Sequence, residues 1–462
     1  MRPARWRRST HVVIGVAVML VAAAVVAVAA VVTSGGRPTS EAKAVKPQPT
    51  PAIADPGVTP LADSAPKPTP DKLAATLAPF VADPNLGALT GRVTDAMTGA
   101  QLWAQGAGIP MQPASVNKLL TTAAALLTLD RDARLTTTVL TDPDTPGLII
   151  LKGGGDPTLS AAAPATPTWY RDAARISDLV DQVKQERVAV TAVKVDASAF
   201  SGPTMAPGWD PLDMLNGDIA PMESVMLDAG RTQPVSVDSR RSATPALDAG
   251  RALAVSFGVD PASVTFLPSP AAGAKKIASV QSPPLMERLR EMMNASDNVM
   301  AESIGREVAA ATNRPQSFSG AVQAVLGHLD DAGIDTAGAT LVDSSGLSVD
   351  DRLTAETLDE VINAAAGYET PELRPLLDLL PIAGGSGTLS NRYLDTDAGR
   401  AAAGFLRAKT GSLTGTNSLV GIVTDASGRV LTFALMSNNA GPTGRTAIDA
   451  LAATLRSCGC GS

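Results

Sequence analysis

Ser115-Val116-Asn117-Lys118, at the head of the apolar run Val116–Leu127, is the stretch on which the fold turns. Leu119, Leu120, Ala123 and Leu127 recur at helical spacing, which predicts a helix with one buried face. A serine and a lysine three positions apart at a helix start share a face, so the ammonium can reach the hydroxyl. A serine hydroxyl is a weak nucleophile and needs a base. Lysine can be that base when desolvation and a neighbouring cation depress its pKa.

Two further stretches supply what such a pair lacks. Ser296-Asp297-Asn298 falls in a loop between the helical segments 284–294 and 299–313, and Lys409-Thr410-Gly411 falls in a strand. Each has a bland reading alone: Ser115 as a helix cap, Lys118 as a solvated side chain, the serine loop as a cap, Lys409–Gly411 as a turn. Together, in this order, they are the S-x-x-K, S-x-N, K-T-G set of an acyl-transfer site without histidine. Lys409 would be the second cation beside Lys118. Ser296 would relay a proton toward the leaving amine, and Asn298 would hold the substrate backbone. Thr410 and Lys409 would grip a substrate carboxylate, and Gly411 would let the substrate backbone lie close. The N–H of Ser412, with that of Ser115, would form the oxyanion hole.

Outward from these motifs, Leu89–Val93 and Gln101–Ala104 read as a hairpin with its turn at Asp95–Gly99. Gly404–Ser412, Asn417–Thr424 and Arg429–Ser437 read as three more strands, and Arg445–Arg456 as a closing amphipathic helix. Two strands from the start and three from the end predict one antiparallel five-stranded sheet flanked by terminal helices, one of them starting near Asp71. Segments 284–313, 315–333 and 354–366 would cover its faces. The roughly 180 residues between the first two motifs exceed what a connection needs, so residues 138–282 read as an inserted mixed α/β domain. It holds strands Leu148–Leu151 and Ala189–Asp196. Its loop Gly153-Gly154-Gly155-Asp156-Pro157 lacks either phosphate-binding pattern and reads as a tight structural turn. The expected fold class is α+β, with residues 71–137 and 283–462 as the catalytic domain.

Composition removes several function classes. A chain of 462 residues with 45% hydrophobic residues has ample core, and a net charge of −7 with 3% aromatics gives no footing for nucleic acid. The only histidines are His11 and His328, so neither a Ser-His-Asp triad nor a zinc enzyme is expected. No metal and no cofactor is implied. Both cysteines stand in Cys458-Gly459-Cys460, where one intervening residue strains a disulfide; the pair reads as a tail with two thiols or a lax bridge.

Arg2, Arg5, Arg7 and Arg8 precede Val12–Val32, an uncharged run of 21 residues. A basic flank with a long apolar run reads as export, with residues 1–33 either a membrane anchor or a signal peptide cleaved after the Ala27-Val28-Ala29 pattern. Nine prolines between Pro38 and Pro70 make residues 34–70 an extended linker. The rest of the chain is expected outside the cytoplasm, at the membrane or in the cell wall space.

With these residues in place, the chain resembles the D-alanyl-D-alanine carboxypeptidase/endopeptidase family, the class C low-molecular-mass penicillin-binding proteins. Further family-like stretches are Leu151–Leu159 (LKGGGDPTL), Ala206-Pro207-Gly208-Trp209, Asp343–Ser348 (DSSGLS), Pro381–Asn391 (PIAGGSGTLSN) and Ala408–Leu413 (AKTGSL). The resemblance implies a transpeptidase/β-lactamase-like domain carrying an insert. It implies a serine DD-peptidase that cuts D-Ala-D-Ala in peptidoglycan stem peptides, or D-Ala crosslinks to a diamino acid, through an acyl-enzyme on Ser115. β-Lactams would acylate the same serine. It also implies an acid after A-P-G-W that reads the substrate side chain, a position Asp213 fits, and an arginine after the D-S-S-G-L-S stretch. There the chain has Val349, with Arg352 nearby but shifted. Two other readings remain: a β-lactamase or esterase on the same scaffold, and a non-catalytic cell-wall-binding protein.

Overall fold

A computed structural model describes residues 64–269 and 273–458. The expected anchor or signal segment, residues 34–63 of the expected linker, and Cys460 lie outside the described residues. Among the described residues no helix is long and apolar enough to cross a membrane.

In chain order, helix α1 (Pro70–Val81) leads into strands β1 (Ala88–Asp95) and β2 (Gln101–Gln105), then α2 (Lys118–Thr128). A second region follows: β3 (Thr136–Thr141), β4 (Leu148–Lys152), α3 (Ile176–Gln185), β5 (Ala192–Asp196), α4 (Leu212–Asn216), α5 (Pro245–Ser256), β6 (Thr265–Phe266) and β7 (Lys275–Gln281). Helices α6 (Leu285–Ala295), α7 (Asn298–Ala311), α8 (Phe318–Asp331), α9 (Ala355–Ala366), α10 (Pro375–Leu379) and α11 (Asp397–Ala402) come next. The chain closes with β8 (Leu406–Leu413), β9 (Thr416–Thr424), β10 (Val430–Asn438) and α12 (Gly444–Ser457).

The first sheet has the order β2-β1-β10-β9-β8, with every pair antiparallel. Successive side chains on its strands point to opposite faces, and both faces are covered, so β10 is buried along almost its whole length. On β10, Leu431, Phe433 and Leu435 join the core made with Leu73 and Leu77 of α1 and Ile448, Leu451 and Leu455 of α12. Ala434 and Met436 point the other way, into the core of α2 and α6–α9. Each such fully buried large apolar side chain contributes ~1.5–3 kcal/mol. The far turn of the sheet is clamped by a buried ion pair, Arg429 Nη2 to Asp95 Oδ2 at 2.6 Å.

The second sheet, β6-β5-β4-β3-β7, is mixed: β4, β5 and β6 run parallel, and β3 is antiparallel to β4 and β7. Val139, Ile149, Leu151, Val193 and Val195 pack beneath α3 and α5. The Gly153–Pro157 turn is a packing device. A Cβ on Gly153 would stand 2.1 Å from the Ser224 carbonyl oxygen, and one on Gly154 2.3 Å from that of Thr136. At the chain's end Cys458 is buried and disulfide-bonded; the sequence's only other cysteine is Cys460.

Candidate active site

Ser115 stands in a 3-10 turn, Ala114–Asn117, that runs straight into α2. Ala114 takes the left-handed region at φ 50°, a strained state for a residue with a side chain. Two glycines hold it there. A Cβ on Gly346 would meet the Ala114 carbonyl oxygen at 1.9 Å, and one on Gly411 would meet that of Pro113 at 2.6 Å and the Ser115 nitrogen at 3.2 Å. The face of Gly411 that a side chain would occupy is therefore taken up by the serine turn of the chain itself. That contact brings strand β8 against the Ser115 amide.

Lys118 opens α2 and is completely buried. Its Nζ donates to Ser115 Oγ at 3.0 Å, Asn298 Oδ1 at 2.6 Å and the Ser345 carbonyl at 2.7 Å. Burial pulls its pKa down to about 8, against the opposing pull of Asp343, Asp297, Glu302 and Asp351. Lys409, also completely buried, donates to Ser296 Oγ at 2.9 Å and the Thr410 carbonyl at 2.8 Å. Burial, then repulsion from Lys118 and Arg392, holds its pKa well below the ordinary lysine value. The two cations thus each face one serine hydroxyl.

The corner between α6 and α7 explains the middle motif. Ser296 ends α6 in the left-handed conformation at φ 57°, and Asp297 caps α7 by accepting the Met300 N–H at 3.0 Å. The capping role belongs to Asp297 alone, which turns Ser296 and Asn298 toward the lysines. Asn298 Nδ2 donates to the Asp218 carbonyl at 3.0 Å, so its amide is fixed at both ends. Thr410 Oγ1 lies 2.8 Å from Thr388 Oγ1, and Ser412 is exposed at the strand end. The outer edge of β8 is covered by loop 381–385 as far as the bond from the Ala408 N–H to the Pro381 carbonyl.

A cavity of about 460 Å³ adjoins these groups, lined by Ser115, Ser296, Thr410 and Ser412 at one side. The nine residues expected from sequence thus divide. Ser115, Lys118, Ser296, Asn298, Lys409, Thr410, Gly411 and Ser412 converge. Asp213 stands apart, half-buried in the short helix α4, where its Oδ2 accepts the Asp210 N–H at 3.1 Å; it does not line the cavity. Its link to the site is indirect: its carbonyl accepts the Asp218 N–H at 2.8 Å. Arg352 donates to the Val349 and Asp351 carbonyls of its own loop.

Sequence reasoning missed a floor of acids beneath Lys118. Asp343 accepts the N–H groups of Ser345 (3.0 Å), Gly346 (2.6 Å) and Ser348 (2.8 Å), and Trp209 Nε1 at 2.8 Å. Burial first, then the charge of neighbouring Asp343 and a hydrogen bond to it, raise Asp351 to about 10, so this carboxyl is protonated at neutral pH. Burial raises Glu302 to about 7; it accepts the Ser344 N–H at 2.9 Å. The stretch DSSGLS held the signal, but no spacing rule ties it to Lys118.

The model of the D-Ala-D-Ala carboxypeptidase 3 (S13) family matches residues 73–241 and 234–457, and that of the carboxypeptidase Rv3627c-like N-terminal domain matches residues 1–60. The chain is 72% identical over 462 residues to carboxypeptidase DacB of Mycolicibacterium smegmatis, covering 100% of both chains. It is 62% identical over 461 residues to carboxypeptidase Rv3627c of Mycobacterium tuberculosis, again covering 100% of both. In fold it is similar to penicillin binding protein 4 (dacB) of Haemophilus influenzae, with a TM-score of 0.67, 22% identity, and coverage of 84% of this chain and 98% of that one.

Proposed function

The chain belongs to the D-Ala-D-Ala carboxypeptidase 3 (S13) family and is a serine-type D-alanyl-D-alanine carboxypeptidase, and we propose that Ser115 is its acylated nucleophile. One observation carries the proposal: a fully buried lysine whose Nζ lies 3.0 Å from Ser115 Oγ, beside a second buried lysine on Ser296. Uncharged Lys118 takes the hydroxyl proton as Ser115 Oγ attacks the carbonyl of the penultimate D-alanine. The amides of Ser115 and Ser412 hold the developing oxyanion, the largest single contribution in acyl transfer. The proton returns through Lys118 and Ser296 to the leaving amine, with Lys409 holding the Ser296 hydroxyl. The C–N bond breaks, and water then releases the acyl group by the reverse path. The substrate lies extended along the free end of β8, from Thr410 to Ser412, where loop 381–385 no longer covers the edge. Asn298 orients its backbone.

The substrates of this reading are peptidoglycan stem peptides ending in D-Ala-D-Ala and, by the same chemistry, D-Ala crosslinks to a diamino acid. Asp213 would meet the substrate side chain from the Asp218 side. β-Lactams would acylate Ser115. Residues 71–137 and 283–462 would form the catalytic domain and 138–282 an insert. The enzyme acts outside the cytoplasm, and residues 1–33 would take it there, as an anchor or as a cleaved signal.

The test is the intact mass of the full chain after benzylpenicillin, beside Ser115→Ala, together with D-alanine release from a D-Ala-D-Ala peptide. One penicillin on the wild type alone, with release of D-alanine lost by ~10³-fold or more in the variant, is expected. Penicillin consumed without an adduct would turn the reading to a β-lactamase. No adduct, intact penicillin and no D-alanine would sink the nucleophile assignment.

A further inference from the structure

The cavity beside Ser115 extends further than the acyl-transfer groups require. At about 460 Å³ it falls in the range of roughly 300–1,000 Å³ that holds drug-sized ligands. It runs from Ser115, Ser296, Thr410 and Ser412 to the first turns of α12, where Arg445, Thr446 and Asp449 form its wall. This is the side of Ser296 and Thr410, so in the mechanism above it is the side on which the leaving amine departs.

The charges on that wall are not equivalent. Asp449 is engaged: Arg392 Nε donates to its Oδ2 at 2.8 Å. Arg445 is exposed and forms no ion pair among the described residues. Asp395, on the loop opposite, also lines the cavity and repels an anion there. Lys409 is fully buried, with two of its three N–H bonds directed to Ser296 and the Thr410 carbonyl, and does not face solvent. The solvent-facing cation that a carboxylate meets in this cavity is therefore Arg445, permanently charged and able to bind it through two N–H groups.

The backbone fixes where that guanidinium starts. A Cβ on Gly444 would stand 2.9 Å from the Asn85 carbonyl oxygen and 3.0 Å from Asn417 Nδ2. Asn417 is the cross-strand partner of Ser412. Arg445 thus follows a glycine pressed against the strand pair that ends the site. It opens a 14-residue helix whose positive end points into the same wall.

We propose that Arg445 is a specificity-determining residue that binds the carboxylate of the leaving amino acid, a role that rests on Ser115 being the nucleophile. The test compares kcat/KM of the full chain on an acylated D-Ala-D-Ala peptide and on the same peptide with its C-terminus amidated. Arg445→Ala should lower kcat/KM about tenfold to a hundredfold on the free acid and leave the amide nearly unchanged, with Arg445→Lys intermediate. Acylation by a D-alanyl thioester with an uncharged leaving group should be unaffected. Equal losses on acid and amide, or none on either, would overturn the role while the thioester still reports a working serine. A wild type that neither acylates from the thioester nor cleaves the peptide would instead bring down the nucleophile assignment, and this role with it.

Discussion

The antiparallel sheet ends on β8, whose Thr410 and Ser412 line the cavity, whereas the mixed sheet ends on β6 and β7, neither of which lines it. The second region still reaches the site, through polar contacts behind the motifs. Tyr170 donates to Asp297 at 2.6 Å, the Asp218 carbonyl accepts from Asn298, and Trp209 donates to Asp343. Among the described residues, no titratable side chain of the second region hydrogen-bonds either lysine. One region supplies charge and the other restraint. That difference matters because a base and a nucleophile must be held within tenths of an ångström for their chemistry to count.

The division is broken most directly at Lys118. Lys118→Met fills the same buried space without a base and should lower benzylpenicillin acylation by ~10³-fold or more. Circular dichroism and chemical denaturation should show a folded chain. An acylation rate near that of the wild type would mean that another group takes the Ser115 proton, and the charge-bearing role of the first region would fail.

Restraint should show the opposite balance, more stability than chemistry. Trp209→Leu removes the donor to Asp343 and the edge-on ring contact with Phe318, whose centroid lies 5.1 Å away. A loss of ~2–4 kcal/mol is expected from cavity and unpaired carboxylate together. Tyr170→Phe deletes one hydroxyl from Asp297 and should cost ~1–2 kcal/mol, with acylation reduced less than tenfold. If Tyr170→Phe instead abolished acylation at unchanged stability, the second region would be doing chemistry.

The same contrast governs what could be read from sequence. The first region announces itself locally: Ser115 and Lys118 are one helical turn apart, and Ser296 and Asn298 flank one capping aspartate. Strands β8, β9 and β10 follow one another across short turns, from which their antiparallel pairing follows. The register that sets Gly411 against Pro113 does not, because it joins residues some 300 positions apart. In the second region, only β4 and β5 were legible. β3 (TTTVLT) and β7 (KKIASVQ) have two large apolar residues each, and their pairing, from Thr136 with Gln281 to Thr141 with Lys275, leaves no local mark. Arg445 read as no more than the first residue of a closing helix. Nothing local marks Asp343, Asp351 and Glu302 as buried, since burial is a tertiary property and an aspartate in a polar loop gives no sign of it.

Those acids also offer the finest adjustment of the comparison, because they belong to the first region yet act on Lys118 only through charge. Glu302 accepts from the Ser344 N–H and pairs with Arg306 at 3.2 Å. With its pKa raised to about 7, it is mostly ionised at the pH of about 8 where Lys118 titrates. An ionised Glu302 favours the ammonium form of Lys118, so it keeps the base protonated to higher pH. Glu302→Gln retains an oxygen for Ser344 and removes the charge. The rising limb of acylation against pH should then move to lower pH, by less than about one unit given a partner that Arg306 already half-neutralises. Stability carries the reverse test. Because Glu302 is raised above its unfolded value, the wild type loses stability as pH climbs from its unfolded pKa through about 7. Glu302→Gln should flatten that slope. A limb that stays in place while the slope flattens would mean that Glu302 is a buried structural acid with no hold on the base, and that Lys118 owes its pKa to burial and to Asp343 and Asp297.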